Sequence, residues 1–184
     1  LYRAYGPEVT QNWIDTHKTK ISGLEQATMN LLPELVRFEK CPPGVAHFRA
    51  DFMLNNVYID VDGLRYHSEE FKEELNYHKR KRETYEAAGL TLLQIRQDEI
   101  LLKPDIVKSI IRAKTGQITK KYRASDLTFK PLSKLDADIF FKRTHLMGST
   151  NGVSCYGLFN SKNELLSAMT IRVVKREMEI VRFS

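Results

Sequence analysis

Asn55-Asn56 is the pair of residues that most restricts how this 184-residue chain can fold. It lies inside Phe48-Arg-Ala-Asp-Phe-Met-Leu-Asn-Asn-Val-Tyr-Ile-Asp-Val-Asp62, where apolar and polar side chains broadly alternate. A period of two marks strands, and asparagine tolerates the positive φ angles of a two-residue hairpin turn. A loop of just these two residues leaves one register. Leu54 then opposes Val57, Met53 opposes Tyr58, Phe52 opposes Ile59, and Asp51 opposes Asp60. Ala50, Phe52, Leu54, Val57, Ile59 and Val61 make one apolar face. Arg49, Asp51, Met53, Tyr58, Asp60 and Asp62 make the other, and Gly63 ends the strand.

Two carboxylates facing each other across a sheet repel and weaken it. The arrangement persists where a divalent cation sits between the oxygens, and hard oxygen donors suit Mg2+ or Mn2+. A metal held by a few carboxylates, with water and a substrate phosphate in its shell, is equipped for phosphodiester hydrolysis. Asp51, Asp60 and Asp62 are therefore the candidate metal ligands. Two plainer readings stand beside this one: the acidic face is merely solvated, or Asp62 pairs across the hairpin with Arg49. His67 follows the strand closely and is placed to move a proton at an attacking water or a leaving oxygen.

The run Tyr77-His-Lys-Arg-Lys-Arg82 adds His78, on a helical stripe with Phe71, Leu75, Arg82 and Tyr85. It also adds Lys81, which can steady the charge of a pentavalent phosphate. Lys79, Arg80 and Arg82 are either a solvated basic face or DNA contacts. Glu25 is either a helix cap or a further acid at the site.

Around the hairpin the pattern predicts an α/β unit with a mixed sheet. Ser22 and Glu25 fit a capping box, followed by Leu24, Met29, Leu31, Leu32, Leu35 and Val36 on a helix kinked at Pro33. Cys41-Pro-Pro-Gly44 breaks the chain. Ser68 caps a second helix that runs to about Ala88 and stops at Gly89. Thr91–Arg96 is a short strand, and Pro104 opens a helix to about Lys114. A polar linker begins at Gly116. Beyond it come a strand near Tyr122–Phe129, a helix near Leu132–Thr144, and strands near Val153–Phe159, Leu165–Val173 and Met178–Phe183. Asn160–Asn163 forms the turn between two of these. The expected organisation is an N-terminal arm (1–21), an α/β domain (22–115) and a smaller α+β domain (116–184).

Charge separates the two domains. Residues 116–184 hold 12 of the 29 Lys/Arg but 6 of the 23 Asp/Glu, so the whole net charge of +6 lies there. A basic part beside a neutral, carboxylate-bearing part suits a polyanionic partner, with Lys120, Lys121 and Arg123 as candidate phosphate contacts. No apolar stretch approaches the ~20 residues that span a bilayer. Cys41 and Cys155 lack any zinc or disulfide spacing, so reduced thiols in the cytoplasm are expected.

The run Arg49-Ala-Asp51-Phe, then Tyr58-Ile-Asp60-Val-Asp62-Gly63-Leu-Arg-Tyr66-His67-Ser68, resembles the core of the PD-(D/E)XK superfamily in its Vsr-like branch. That branch holds the very-short-patch-repair endonucleases and phage homing endonucleases of the EDxHD type. His78-Lys-Arg-Lys81 and Gly89-Leu-Thr-Leu-Leu-Gln-Ile-Arg-Gln-Asp-Glu99 continue the likeness over residues 22–115. The resemblance implies a restriction-endonuclease-like fold, a mixed sheet flanked by helices. It also implies Asp51 as chief metal ligand, Asp60 as second acid and His67 as general acid/base, with His78 and Lys81 assisting and Glu25 as the upstream acid. The chain departs from the pattern at Asp60, where Glu is usual, and at Tyr66, where Trp is usual. The superfamily's lysine has no counterpart near Asp62, which leaves Lys81 or His67 to stand in.

Residues 121–184 resemble part of a GNAT-like domain related to the Mom DNA-modification protein, through Lys121-Tyr-Arg-Ala, Phe141-Lys-Arg-Thr-His145-Leu-Met-Gly148, Tyr156-Gly-Leu-Phe and Glu179-Ile-Val-Arg-Phe-Ser184. No glycine-rich pyrophosphate loop precedes Ser184, so this likeness implies DNA binding, with His145 and Arg182 as candidate contacts. The expected activity is Mg2+-dependent endonucleolytic cleavage of double-stranded DNA, and cutting of both strands would suggest a dimer. The alternatives are a catalytically idle DNA-binding module and a nucleic-acid-modifying acyltransferase.

Overall fold

The computed structural model describes residues 21–38, 40–63, 76–152, 154–174 and 177–184. The expected arm, Tyr66, His67 and the Ser68 cap lie outside the described residues. The chain divides into two compact units, Leu1–Leu101 and Leu102–Ser184, so the division precedes the helix at Pro104 rather than following it. Each unit combines helices with one four-stranded sheet.

In the first unit, α1 (Gly23–Leu31) opens with the expected capping box. Ser22 Oγ accepts from the Glu25 backbone N–H at 3.1 Å, and Glu25 Oε2 accepts from the Ser22 N–H at 2.7 Å. The helix ends at Leu32, because proline disfavours helical geometry in the residue before it. Pro33 therefore stops α1 instead of kinking it, and Val36–Arg37 becomes strand β1.

β2 (Phe52–Leu54) and β3 (Val57–Asp62) pair in the expected register, Phe52 with Ile59 through Leu54 with Val57. Asn55 and Asn56 take φ of +47° and +62°, as a two-residue turn demands. β4 (Thr91–Arg96) lies parallel to β3, giving a mixed sheet in the order β1-β2-β3-β4.

The described helix before β4 is α2 (Tyr77–Ala87). Asn76, at φ +70°, cannot continue a helix, so α2 is not the single helix from Ser68 that the apolar pattern suggested. Its end is as expected: Gly89 at φ +71° lets the Leu90 N–H reach the Tyr85 carbonyl at 2.9 Å. A short helix that the sequence reading left unassigned, α3 (Gln97–Leu102), follows β4 directly.

Both faces of the hairpin are covered. Phe52, Leu54, Val57 and Ile59 are buried on one face. On the other, Tyr58 and Tyr85 join Val45 and Ala50 in a buried cluster, with Phe48, Met53 and Leu92 packed against it. Ala50 thus belongs with Tyr58 rather than with Phe52, because β2 begins at Phe52 and strict alternation does not reach back to Ala50. The acid-bearing face is accordingly not a solvated one.

In the second unit, α4 (Pro104–Lys114) starts with proline in its first turn and closes at Gly116. A 3-10 turn at Ala124–Asp126 displaces the strand expected from Tyr122, and β5 runs Thr128–Leu132. α5 (Lys134–Thr144), β6 (Ser154–Phe159), β7 (Leu165–Val174) and β8 (Glu177–Phe183) follow close to their expected positions. The antiparallel order is β5-β6-β7-β8, and Ala137 and Phe141 of α5 pack on Ala168. Cys41 and Cys155 are free thiols. Among the described residues no helix is long and apolar enough to cross a membrane.

Candidate active site

One stripe of α2 meets one stripe of β3. On the strand, Tyr58, Asp60 and Asp62 alternate onto the same face, ~6.6 Å apart in successive pairs. On the helix, His78, Lys81 and Tyr85 lie on one side at steps of three and four residues, ~4.5–6 Å apart along the axis. The two spacings are close enough to match three pairs in sequence. The Tyr58 and Tyr85 rings meet edge to face with centroids 5.4 Å apart. Lys81 Nζ lies 2.6 Å from Asp60 Oδ2. His78 Nδ1 lies 3.2 Å from Asp62 Oδ2. The helical stripe therefore contains Lys81 where periodicity alone suggested Arg82, which is exposed and sits 3.8 Å from Glu86.

The Lys81–Asp60 pair is almost out of water, its side chains 5% and 7% exposed. A charge that deep is tolerable only with its partner, and deleting one member costs ~3–5 kcal/mol. Across the hairpin, Asp51 Oδ2 accepts from the Val61 N–H at 2.7 Å, and its backbone N–H donates to Ile59 at 3.0 Å. Burial pushes the Asp51 carboxyl up to about 6 from its usual 3.8; the charge of Asp60 adds to this and Glu25 adds a little. The Val61 N–H and the Lys81 ammonium pull it back down. Asp51, Asp60, Glu25 and Lys81 thus form one electrostatic group. Glu25 keeps its capping bonds while its carboxylate is felt at Asp51.

Asp62 meets His78. An ionised carboxylate can only accept, so His78 Nδ1 carries the proton in this pair. Gln94 of β4 is opposite Asp60 in the parallel register, and its amide lies 3.4 Å from the same Nδ1. Sequence reasoning missed Gln94. It falls inside an apolar strand, and only the pairing of β4 with β3 brings it beside the acids. Tyr77 borders the group, its hydroxyl pKa raised by burial and, more weakly, by Asp60, Asp62 and Asp51, against a lowering by Lys81.

Of the other expected residues, Lys79, Arg80 and Arg82 are exposed on α2, and Lys120, Lys121 and Arg123 are exposed ahead of β5. His67 lies outside the described residues. Among the described residues no group of three or more His, Cys, Asp or Glu side chains is assembled to hold a metal ion. Comparison with protein-family models, curated proteins and solved structures gave no match to this chain.

Proposed function

We propose that the first unit is a Mg2+-dependent (or Mn2+-dependent) DNA endonuclease of restriction-endonuclease-like fold. The observation that carries the reading is Asp51, a half-buried carboxyl that accepts from the Val61 N–H and is raised to about 6, mostly by burial, with the charge of Asp60 crowding it further. Such crowding disfavours every state except a protonated one or one that holds a cation. The donor set fits a hard divalent ion, since Mg2+ needs few carboxylates when water and substrate phosphate complete its shell. Asp51 and Asp60 would hold it, with Glu25 nearby and Asp62 engaged by His78. Bound there, the ion would supply an activated water and charge stabilisation at the phosphorus.

The chain's own residues take the remaining roles. Lys81 neutralises Asp60 and ties α2 to β3, and its ammonium stands beside the acids, where it would take the role of the superfamily's missing lysine. Asp62 orients His78 with the proton on Nδ1, which leaves the other ring nitrogen as a proton acceptor. His67 is the second proton-handling candidate. The exposed Lys79, Arg80 and Arg82 supply cations for the phosphodiester backbone of double-stranded DNA.

A second reading has an observation of its own. Lys81 already fills part of the space around Asp60, and an internal ammonium in place of the metal is what an idle DNA-binding module would keep. Plasmid cleavage separates the two. Cutting that needs Mg2+, stops with EDTA, and disappears in Asp51→Ala and His67→Ala establishes the nuclease. DNA binding without cleavage under any divalent ion establishes the idle module.

A further inference from the structure

The second unit gathers positive charge at one turn. After α5 the chain turns through His145 to Gly148, closed by the Gly148 N–H donating to the His145 carbonyl at 2.9 Å. Lys103 Nζ reaches the His145 carbonyl at 3.4 Å, and Arg182 Nε reaches the Gly148 carbonyl at 3.2 Å. Two cations from opposite ends of the unit's sequence thus converge on the turn that bears His145. Lys142 and Arg143 add two more in the last turn of α5.

Lys103, His145 and Arg182 have no carboxylate partner within salt-bridge distance among the described residues. Their contacts are backbone carbonyls and the Met147 N–H, which donates to His145 Nδ1 at 3.1 Å. That last bond matters chemically. With Nδ1 occupied as an acceptor, the neutral ring presents Nε2 as an N–H donor. The group then consists of an ammonium, a guanidinium and an imidazole N–H, all donors. Burial holds the His145 pKa below its usual value, and the charges of Arg182 and Lys103 lower it further.

A plain account of the two cations is that they offset the negative C-terminal end of α5. That end carries about half a charge, and four formal positive charges with a histidine exceed it. The geometry points to a phosphate-binding site at the His145–Gly148 turn, made by Lys103, His145 and Arg182. It takes the phosphate of a nucleic-acid backbone or of a free phosphate-bearing ligand. The site lies within the second unit and does not depend on catalysis by the first.

The test is an NMR pH titration of His145 in the full chain, at constant ionic strength, with no addition, with inorganic phosphate, and with a short DNA duplex. A bound phosphate favours the protonated ring, so the His145 pKa rises with the ligand. A rise with duplex alone assigns the site to a nucleic-acid backbone, and a rise with phosphate assigns it to the free group. No rise with either overturns the proposal and leaves the cations as helix caps. The titration needs no variant to fold. In parallel, Lys103→Gln weakens duplex binding several-fold and lowers the salt slope by about 0.9, as loss of one charged phosphate contact does, whereas His145→Gln weakens binding with the slope kept, since the neutral ring contributes an N–H and no charge. Lys162→Gln, which removes one charge from the β6–β7 turn, leaves both unchanged. An equal loss in Lys162→Gln would mean diffuse attraction and would contradict a built site.

Discussion

The acids around Asp51 and the cations around His145 are mirror images built by different means. In the first unit the crowd is made by backbone pairing: just before β2 the Asp51 N–H bonds the Ile59 carbonyl and its carboxylate accepts from the Val61 N–H, which brings it within reach of the charge of Asp60 in a half-buried place. In the second it is made by long side chains, Lys103 and Arg182, reaching over one half-exposed turn. Repulsion in a buried place is large, and repulsion beside water is small. The comparison teaches that the two sites should respond alike in sign to a ligand of opposite charge, and unlike in size.

The strongest way to break the comparison is Lys81→Met, which leaves Asp60 buried without its cation. Chemical denaturation should record a loss of about 3–5 kcal/mol. The double variant Asp60→Asn with Lys81→Met should recover most of it. A loss under about 1 kcal/mol would mean that Asp60 is wetter than its 7% exposure implies.

Next in size is Asp51→Asn. The folded carboxyl, raised to about 6, holds its proton more tightly than the unfolded one at 3.8. Stability of the metal-free protein should therefore fall as pH rises from about 4 to about 6, and stay low above that. Removing the charge should return roughly 2–3 kcal/mol at pH 7.5 and flatten that window. Thermal unfolding at several pH values in EDTA measures it.

Gln94→Ala should cost at most about 1 kcal/mol, since one weak amide contact is lost. Nitrogen chemical shifts of the His78 ring give the sharper reading. The Nδ1–H form should persist in Gln94→Ala and diminish in Asp62→Ala, because the carboxylate is the stronger acceptor.

The smallest effect is expected at His145. Its folded pKa is lowered by burial and the two cations, so its contribution is present above its usual 6.5 and is lost as pH falls through the folded value. His145→Gln should gain slightly on the wild type below that pH, by less than Asp51→Asn gains above its own.

Local signals were legible in the sequence where backbone chemistry is local. Asn55-Asn56 gave the hairpin register, Ser22 with Glu25 gave the start of α1, and Gly89 gave the end of α2. The expected opposition of Asp51 to Asp60 is not in the register, which starts at Phe52; the Asp51 N–H bonds Ile59 instead, and the two carboxyls interact only through their charges. The stop at Pro33 was also local, and it was misread because the apolar residues beyond it kept a helical rhythm. What was not legible depended on pairing over distance. Gln94 comes to the acids only through the parallel β3–β4 register. Lys81 displaces Arg82 from the buried stripe because Asp60 requires a partner there, a demand that periodicity does not contain. Lys103 reaches His145 from 42 residues away, and no motif joins them.

The central claim is that the Asp51 cluster awaits a divalent cation, and Mg2+-dependent thermal unfolding at pH 7.5 tests it most directly. Wild type should be stabilised by Mg2+ in a saturable way, and Asp51→Asn, already more stable in EDTA, should not respond. Equal responses of the two proteins to Mg2+, or none from either, would contradict the claim.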